Sequence, residues 1–266
     1  RLDDLLARLA EAFEREKRFS SDVAHELRTP VAELRSLAEV AHRWPEDRHA
    51  TQAFFADVGA VAAQMEELIG NLLALARSDA GADALWVQEV SLAAAVKRAW
   101  ERQEPRAAER GVTLDLAIDG DDALFTDAAK LDLILANLLA NAAAYAPVGS
   151  PVSCRGEVDG QRFRLAIANA APQLDPGDLP LLGQRFWRKD DARGDGRHAG
   201  LGLTLVRSLA NALGYAVDFR LDGERRFTVE VSGPRVLAVP AALRRPATSP
   251  AAAATADGAD LKPVLR

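Results

Sequence analysis

Residues 19–34 read FSSDVAHELRTPVAEL, and the apolar positions Phe19, Val23, Leu27, Val31 and Leu34 recur in it at intervals of four and three. That spacing lines one face of an α-helix and predicts a partner for the stripe. Downstream, Phe54, Val58, Val61, Met65, Leu68, Leu72 and Leu75 repeat the alternation as a heptad seam. No glycine occurs before Gly59, and Arg43, Trp44, Pro45, Glu46 and Asp47 supply a break between the two patterns. The expected unit is a long helical hairpin. Two helices bury such stripes poorly, whereas two hairpins close a four-helix bundle, so a homodimer is expected. Packing of the hairpin onto the rest of its own chain is the alternative.

Within the quoted stretch His25 lies two positions from both Val23 and Leu27. At roughly 100° per residue this is about 200° round the helix, so the imidazole faces outward. Glu26 is close enough to orient a ring nitrogen or take its proton, and Thr29, at i+4, shares the face of His25. Pro30 removes a backbone donor, a cost of about 3 kcal/mol in a helix interior, and is expected to bend or loosen the helix there. His42 and His49 flank the hairpin break and His198 lies in a glycine-bearing loop; all three read as structural or solvated.

The chain has 266 residues, which suggests two modest domains. Lys and Arg number 33 against 39 Asp and Glu, a net charge of −6 that argues against nucleic acid as a partner. The single cysteine, Cys154, excludes an internal disulfide or a thiolate metal cluster and suits a reducing compartment. The apolar stretch over residues 133–148 is shorter than a membrane helix needs and contains Asn137 and Asn141, so no bilayer span is expected. A helical pattern already present at Leu2, Leu5, Leu6, Leu9 and Phe13, directly after Arg1, reads as a piece of a longer protein.

After the hairpin the class becomes α+β. Residues 90–100, 130–146 and 203–213 read as helices; residues 112–118, 152–158, 162–168, 217–221 and 227–231 read as strands, with turns at Asp159-Gly160 and Asp222-Gly223. The expected organisation is a hairpin over 1–82, a second domain over 85–235, and a flexible low-complexity tail over 236–266. That tail carries Pro240, Pro246, Pro250 and Pro263 and an alanine run at 251–254.

In the second domain Asn137 and Asn141 stand at i and i+4 on an otherwise apolar helix, where amides need polar partners. Gly194, Gly196, Gly200 and Gly202 precede the helix opening near Leu203. Glycines at a helix start let backbone N–H groups approach a phosphate closely. Between these features Arg185, Arg188 and Lys189, beside Phe186 and Trp187, form a basic turn able to meet phosphates.

His25-Glu26-Leu27-Arg28-Thr29-Pro30, in a hairpin followed by an α+β domain, resembles the phosphoacceptor box of sensor histidine kinases. Residues 137–142, with Tyr145 and Pro147, are similar to the asparagine box of the ATP-binding domain that these kinases share with gyrase, chaperone and mismatch-repair ATPases. The resemblance implies an α/β sandwich that binds ATP and Mg²⁺, the metal held by Asn141 with Asn137 nearby. It makes Gly200-Leu201-Gly202-Leu203 the second glycine box, and Arg185, Phe186, Arg188 and Lys189 part of a lid over the nucleotide. Two places depart from the pattern. Ala144 stands where a lysine is frequent, and the Asp-x-Gly-x-Gly box reads Asn169, Ala170, Ala171, Pro172, Gln173, with the acid become an amide and both glycines gone. In the family that acid accepts a hydrogen bond from the exocyclic amine of adenine.

The implied activity is ATP-dependent phosphorylation of His25, oriented or deprotonated by Glu26, followed by transfer to an aspartate in the receiver domain of a response regulator. Thr29 would position water for the reverse removal of phosphate from that partner. The implied setting is the cytoplasmic part of an inner-membrane sensor anchored upstream. Two rival readings stand beside it. A degenerate dimeric scaffold with weak or no ATP binding is favoured by Asn169 and the missing glycines. An ATP-driven clamp of the gyrase group would leave the His25-Glu26 hairpin without a purpose.

Overall fold

The computed structural model describes residues 2–43, 48–79, 84–119, 122–189 and 200–237. The hairpin consists of α1 (Leu2–Arg43) and α2 (Arg48–Asp79). Its break over residues 44–47 lies outside the described residues, as do Asp190, Gly194, Gly196, His198 and residues 238–266. The loosening expected at Pro30 does not interrupt α1, and Pro30 is buried.

The second domain begins with β1 (Val87–Ser91), α3 (Leu92–Glu101), α4 (Glu104–Glu109), β2 (Thr113–Asp119) and β3 (Ala123–Asp127). It continues with α5 (Ala128–Tyr145), β4 (Pro151–Val158), β5 (Arg162–Ala170) and a 3-10 helix over Pro176–Leu181, and closes with α6 (Gly202–Ala212), β6 (Ala216–Leu221) and β7 (Arg226–Pro234). Five strands form one sheet in the order β2-β4-β5-β7-β6, with β2 parallel to β4 and the other pairs antiparallel; β1 and β3 pair separately. Helices α3, α5 and α6 cover the sheet, and Val96, Ile134, Leu135 and Leu205 join Phe163, Leu165 and Val231 in one core. At about 25 cal/mol per Å² of apolar surface, this layer dominates the domain's stability.

The expected helix over 90–100 is corrected at its start: Val90 and Ser91 end β1. The Ser91 side chain accepts from the Ala94 N–H at 3.1 Å, so the helix begins at Leu92. Asp122 reinforces this turn by accepting from the Ser91 hydroxyl and the Ala93 N–H. Strands β1 and β3 and the short α4 were not foreseen. Val236 bridges Phe125 and Leu237 is buried, so the packed chain runs two residues past 235.

The α2 seam is used inside the chain. Val61, Leu68 and Leu75 are buried, and Leu68, Ala74 and Leu75 belong to the same core as α6. The Ser208 hydroxyl donates to Ser78 Oγ at 2.8 Å across that contact. The alternative of packing onto the chain itself is therefore realised along the C-terminal half of α2. A different stripe, Phe55, Ile69 and Leu73, stays exposed.

Candidate nucleotide and phosphoacceptor site

Asp127 caps α5 by accepting from the Lys130 N–H at 3.1 Å, and its other oxygen accepts from the Trp86 N–H at 3.0 Å. The helix then carries Asn137, Asn141 and Tyr145 along one face into a cavity of about 470 Å³. Gly202 at the start of α6 closes on that face. A Cβ there would meet Asn137 Oδ1 at 2.9 Å and Asn141 Nδ2 at 3.6 Å, so the asparagine and glycine segments are fitted to each other. Asn137 also donates to the Leu133 carbonyl at 2.9 Å. Gly200, Leu201, Gly202 and Leu203 all line the cavity.

Asn169, at the end of β5, is 5% exposed and lines the cavity's inner wall. Its Nδ2 donates to the Ala170 carbonyl at 2.8 Å, which leaves Oδ1 as the acceptor available to a ligand. Ala171 and Gln173 line the wall too, and neither takes a positive φ, so the missing glycines leave no backbone strain. Pro172, Leu182 and Trp187 complete this side; Trp187 belongs to the basic turn read from the sequence, whereas Leu182 carried no sequence signal.

The residues of the basic turn divide. Arg188 and Lys189 line the cavity, whereas Arg185 and Phe186 turn to the hairpin. The Phe186 ring lies 6.1 Å from that of Phe19, and the Arg185 guanidinium sits 5.0 Å over Phe19. Phe186 holds φ 62°, a conformation that costs a non-glycine residue of order 1–3 kcal/mol. Gly200 permits the close approach: at its φ of 68° a Cβ would fall 2.7 Å from the Phe186 carbonyl carbon. Lys189 pairs with Asp175 and Asp178, which hold its ammonium above the usual lysine range, and both carboxyls are held below theirs, chiefly by that lysine's hydrogen bonds.

The hairpin supplies the remaining wall. Glu26 and Pro30 of α1, and Gln64, Glu67, Leu68 and Asn71 of α2, line the same cavity as the asparagines. The polar trio on α2, at i, i+3 and i+7 beside the apolar seam, was missed; that helical spacing was the signal. The cavity wall desolvates Glu67 although its outer edge is exposed, and this pushes its carboxyl up, opposed by the charge of Arg106. His25 and Thr29 are exposed and do not line the cavity. The outward orientation expected for His25 is thus the one observed, with its neighbour Glu26 against the nucleotide domain.

Residues 15–81 match the family described as the His Kinase A phospho-acceptor domain, and residues 126–235 match the histidine kinase-, DNA gyrase B- and HSP90-like ATPases. The chain belongs to the sensor histidine kinases. The histidine kinase/phosphatase MprB of Mycolicibacterium smegmatis is 34% identical to the kinase chain over 214 residues, covering 77% of it and 42% of MprB. The chain spans under half the length of the curated relatives it matches. In fold it is similar to the Acinetobacter baumannii histidine kinase AdeS, with TM-score 0.63 at 19% identity, covering 79% of this chain and 98% of that one. It is also similar to the histidine kinase ThkA solved in complex with the response regulator protein TrrA, with TM-score 0.63 at 14% identity, covering 82% and 61%. The ATPase domain is an ATP-binding one by family.

Proposed function

We propose that the chain transfers the γ-phosphoryl group of ATP to His25 and then to an aspartate of a response regulator. The observation that carries this is the shared cavity: Asn137, Asn141, Asn169 and the Gly200–Gly202 turn of the ATPase domain face Glu26, the residue next to His25. Phosphoryl transfer depends on positioning and charge neutralisation more than on covalent machinery. A nitrogen of the His25 ring attacks the γ-phosphorus, the bond to the bridging oxygen breaks, ADP leaves, and the ring proton passes to Glu26 or water.

Among the described residues no group of three or more His, Cys, Asp or Glu side chains could hold a metal ion. The cradle of amides at Asn137 and Asn141 around Gly202 suits Mg²⁺, which takes few protein oxygens and relies on substrate phosphates. When bound, Mg²⁺ neutralises charge on the triphosphate. Asn141 would hold it, and Asn169 Oδ1 would accept from the adenine amine. Reaction requires the imidazole within about 3–3.5 Å of the phosphorus, so a histidine must reach the cavity either by a shift of the ATPase domain on its own hairpin or from the hairpin of a second subunit.

The same reading includes a homodimer through the hairpin, a receiver domain that reaches the exposed His25 and Thr29, and membrane attachment of the parent protein upstream. One described helical stretch, Gln52–Ser78, is long and apolar enough to cross a membrane by length and composition. It lies within the matched phospho-acceptor domain, and its seam packs on α6. The test is incubation with γ-labelled ATP and Mg²⁺. Acid-labile, base-stable label on the chain, passing to a receiver domain, is expected; absence of label with ATP bound would support the scaffold reading instead.

A further inference from the structure

We propose that Arg110 is a positioning residue of the nucleotide site, one that neither the motifs nor the family match singles out; the inference rests on the ATP-site reading above. Arg110 follows α4 and is half-buried, and its guanidinium reaches across to the end of α5. Nη1 donates to the carbonyls of Ala143 at 2.8 Å and Ala144 at 2.6 Å, and Nη2 donates to that of Ala146 at 2.7 Å. These are carbonyls of a helix end, which have no partners within the helix. The Arg110 carbonyl also accepts from the Gly149 N–H at 2.9 Å. At Gly111, with φ 62°, a Cβ would lie 3.6 Å from Gly149 Cα, so two backbones are clasped there.

The same side chain lines the nucleotide cavity beside Ala144, Tyr145 and Pro147. Three described cations line that wall: Arg110, Arg188 and Lys189. Lys189 is committed to Asp175 and Asp178, and Arg188 stands next to it in the same turn. Lys189 thus has its charge met by carboxylates, whereas the three bonds of Arg110 go to neutral carbonyls of the scaffold and leave its positive charge intact. Arg110 fixes the last turn of α5, and with it Tyr145 and the direction of the Asn141 face. It also keeps a cation in the wall of a site for a polyanion whatever the basic turn does. Lysine cannot replace it fully, because one ammonium lacks the planar fork that spans these carbonyls.

The test uses the full chain with Arg110→Met, Arg110→Lys and, as a fold control, Val96→Ala in the core of α3. Calorimetry gives ATP affinity, autophosphorylation gives KM and kcat, and thermal melting reports stability. Arg110→Met is expected to weaken ATP binding and raise KM at least tenfold while changing kcat less than threefold. Arg110→Lys should recover only part of the loss. Val96→Ala should lower melting without moving ATP affinity. The inference is overturned if Arg110→Met binds ATP within twofold of the unmodified chain, if Arg110→Lys behaves as unmodified, or if Val96→Ala loses as much affinity as Arg110→Met. An unmodified chain that binds no ATP overturns the nucleotide reading and this inference with it; intact ATP binding indifferent to Arg110 overturns this inference alone.

Discussion

His25 and Asn169 illustrate opposite relations between a side chain and its surroundings. His25 is exposed, so His25→Gln should abolish labelling by γ-labelled ATP and leave stability within about 0.5 kcal/mol, as expected of a surface change. Label retained on that variant would move the acceptor elsewhere. Asn169 is buried and its amide nitrogen is used by Ala170. In Asn169→Asp the carboxylate cannot donate, so the Ala170 carbonyl loses its partner and the empty domain should lose about 1–3 kcal/mol. The charge strengthens a hydrogen bond from adenine, because charge-assisted bonds are roughly twice as strong as neutral ones. Tighter ATP binding together with a lower melting temperature is therefore expected. Equal affinity of the unmodified chain for ATP and GTP, measured by calorimetry, would sink the role given to Oδ1.

Helices were legible in this sequence wherever their period was long and their apolar face continuous, as in α1, α2, α5 and α6. Strands β4 and β5 announced themselves by alternation and a turn at Asp159-Gly160. Strands β1 and β3 did not, because five residues with a partly exposed face give too little pattern, and their pairing joins distant stretches of chain, as where Asp127 accepts from the Trp86 N–H. The glycine and asparagine segments were legible as motifs, but their mutual fit at Gly202 is a packing fact. Nor could a heptad seam say which surface it meets. Leu68 faces the core within its own chain, whereas Leu73 is 56% exposed on the neighbouring stripe with Phe55 and Ile69. Leu68→Asp should therefore unfold the junction with α6, since a buried carboxylate without a partner costs several kcal/mol. Leu73→Asp should leave the melting of a monomer unchanged and convert dimer to monomer in light scattering. A Leu73→Asp chain that stays dimeric would move the subunit contact to another face.

On the scale of the whole molecule, one buried thiol reports on the cooperative unit. Cys154 in β4 is fully buried, and burial pushes its thiol from the ordinary 9.0 up to about 12. Only the thiolate reacts with a disulfide reagent, so at pH 8 the folded chain should be inert and labelling should proceed through opening of the sheet. The sign of the linkage follows from the direction of the shift. Below about pH 9 both folded and unfolded chains keep the proton and the thiol leaves stability unchanged. Between about 9 and 12 the unfolded chain loses the proton while the folded one keeps it, so stability falls as pH rises, at up to about 1.4 kcal/mol per pH unit. Because β4 adjoins β5, which carries Asn169, nucleotide binding and thiol protection belong to one equilibrium. A ligand at about 100 times its Kd stabilises the native state by about 2.7 kcal/mol, so ATP at that level should slow labelling of Cys154 roughly 100-fold when reclosing outpaces the reagent. If ATP binds by calorimetry yet leaves the labelling rate unchanged, the sheet opens without releasing nucleotide, and the ATPase domain is not the single cooperative unit that its continuous core requires.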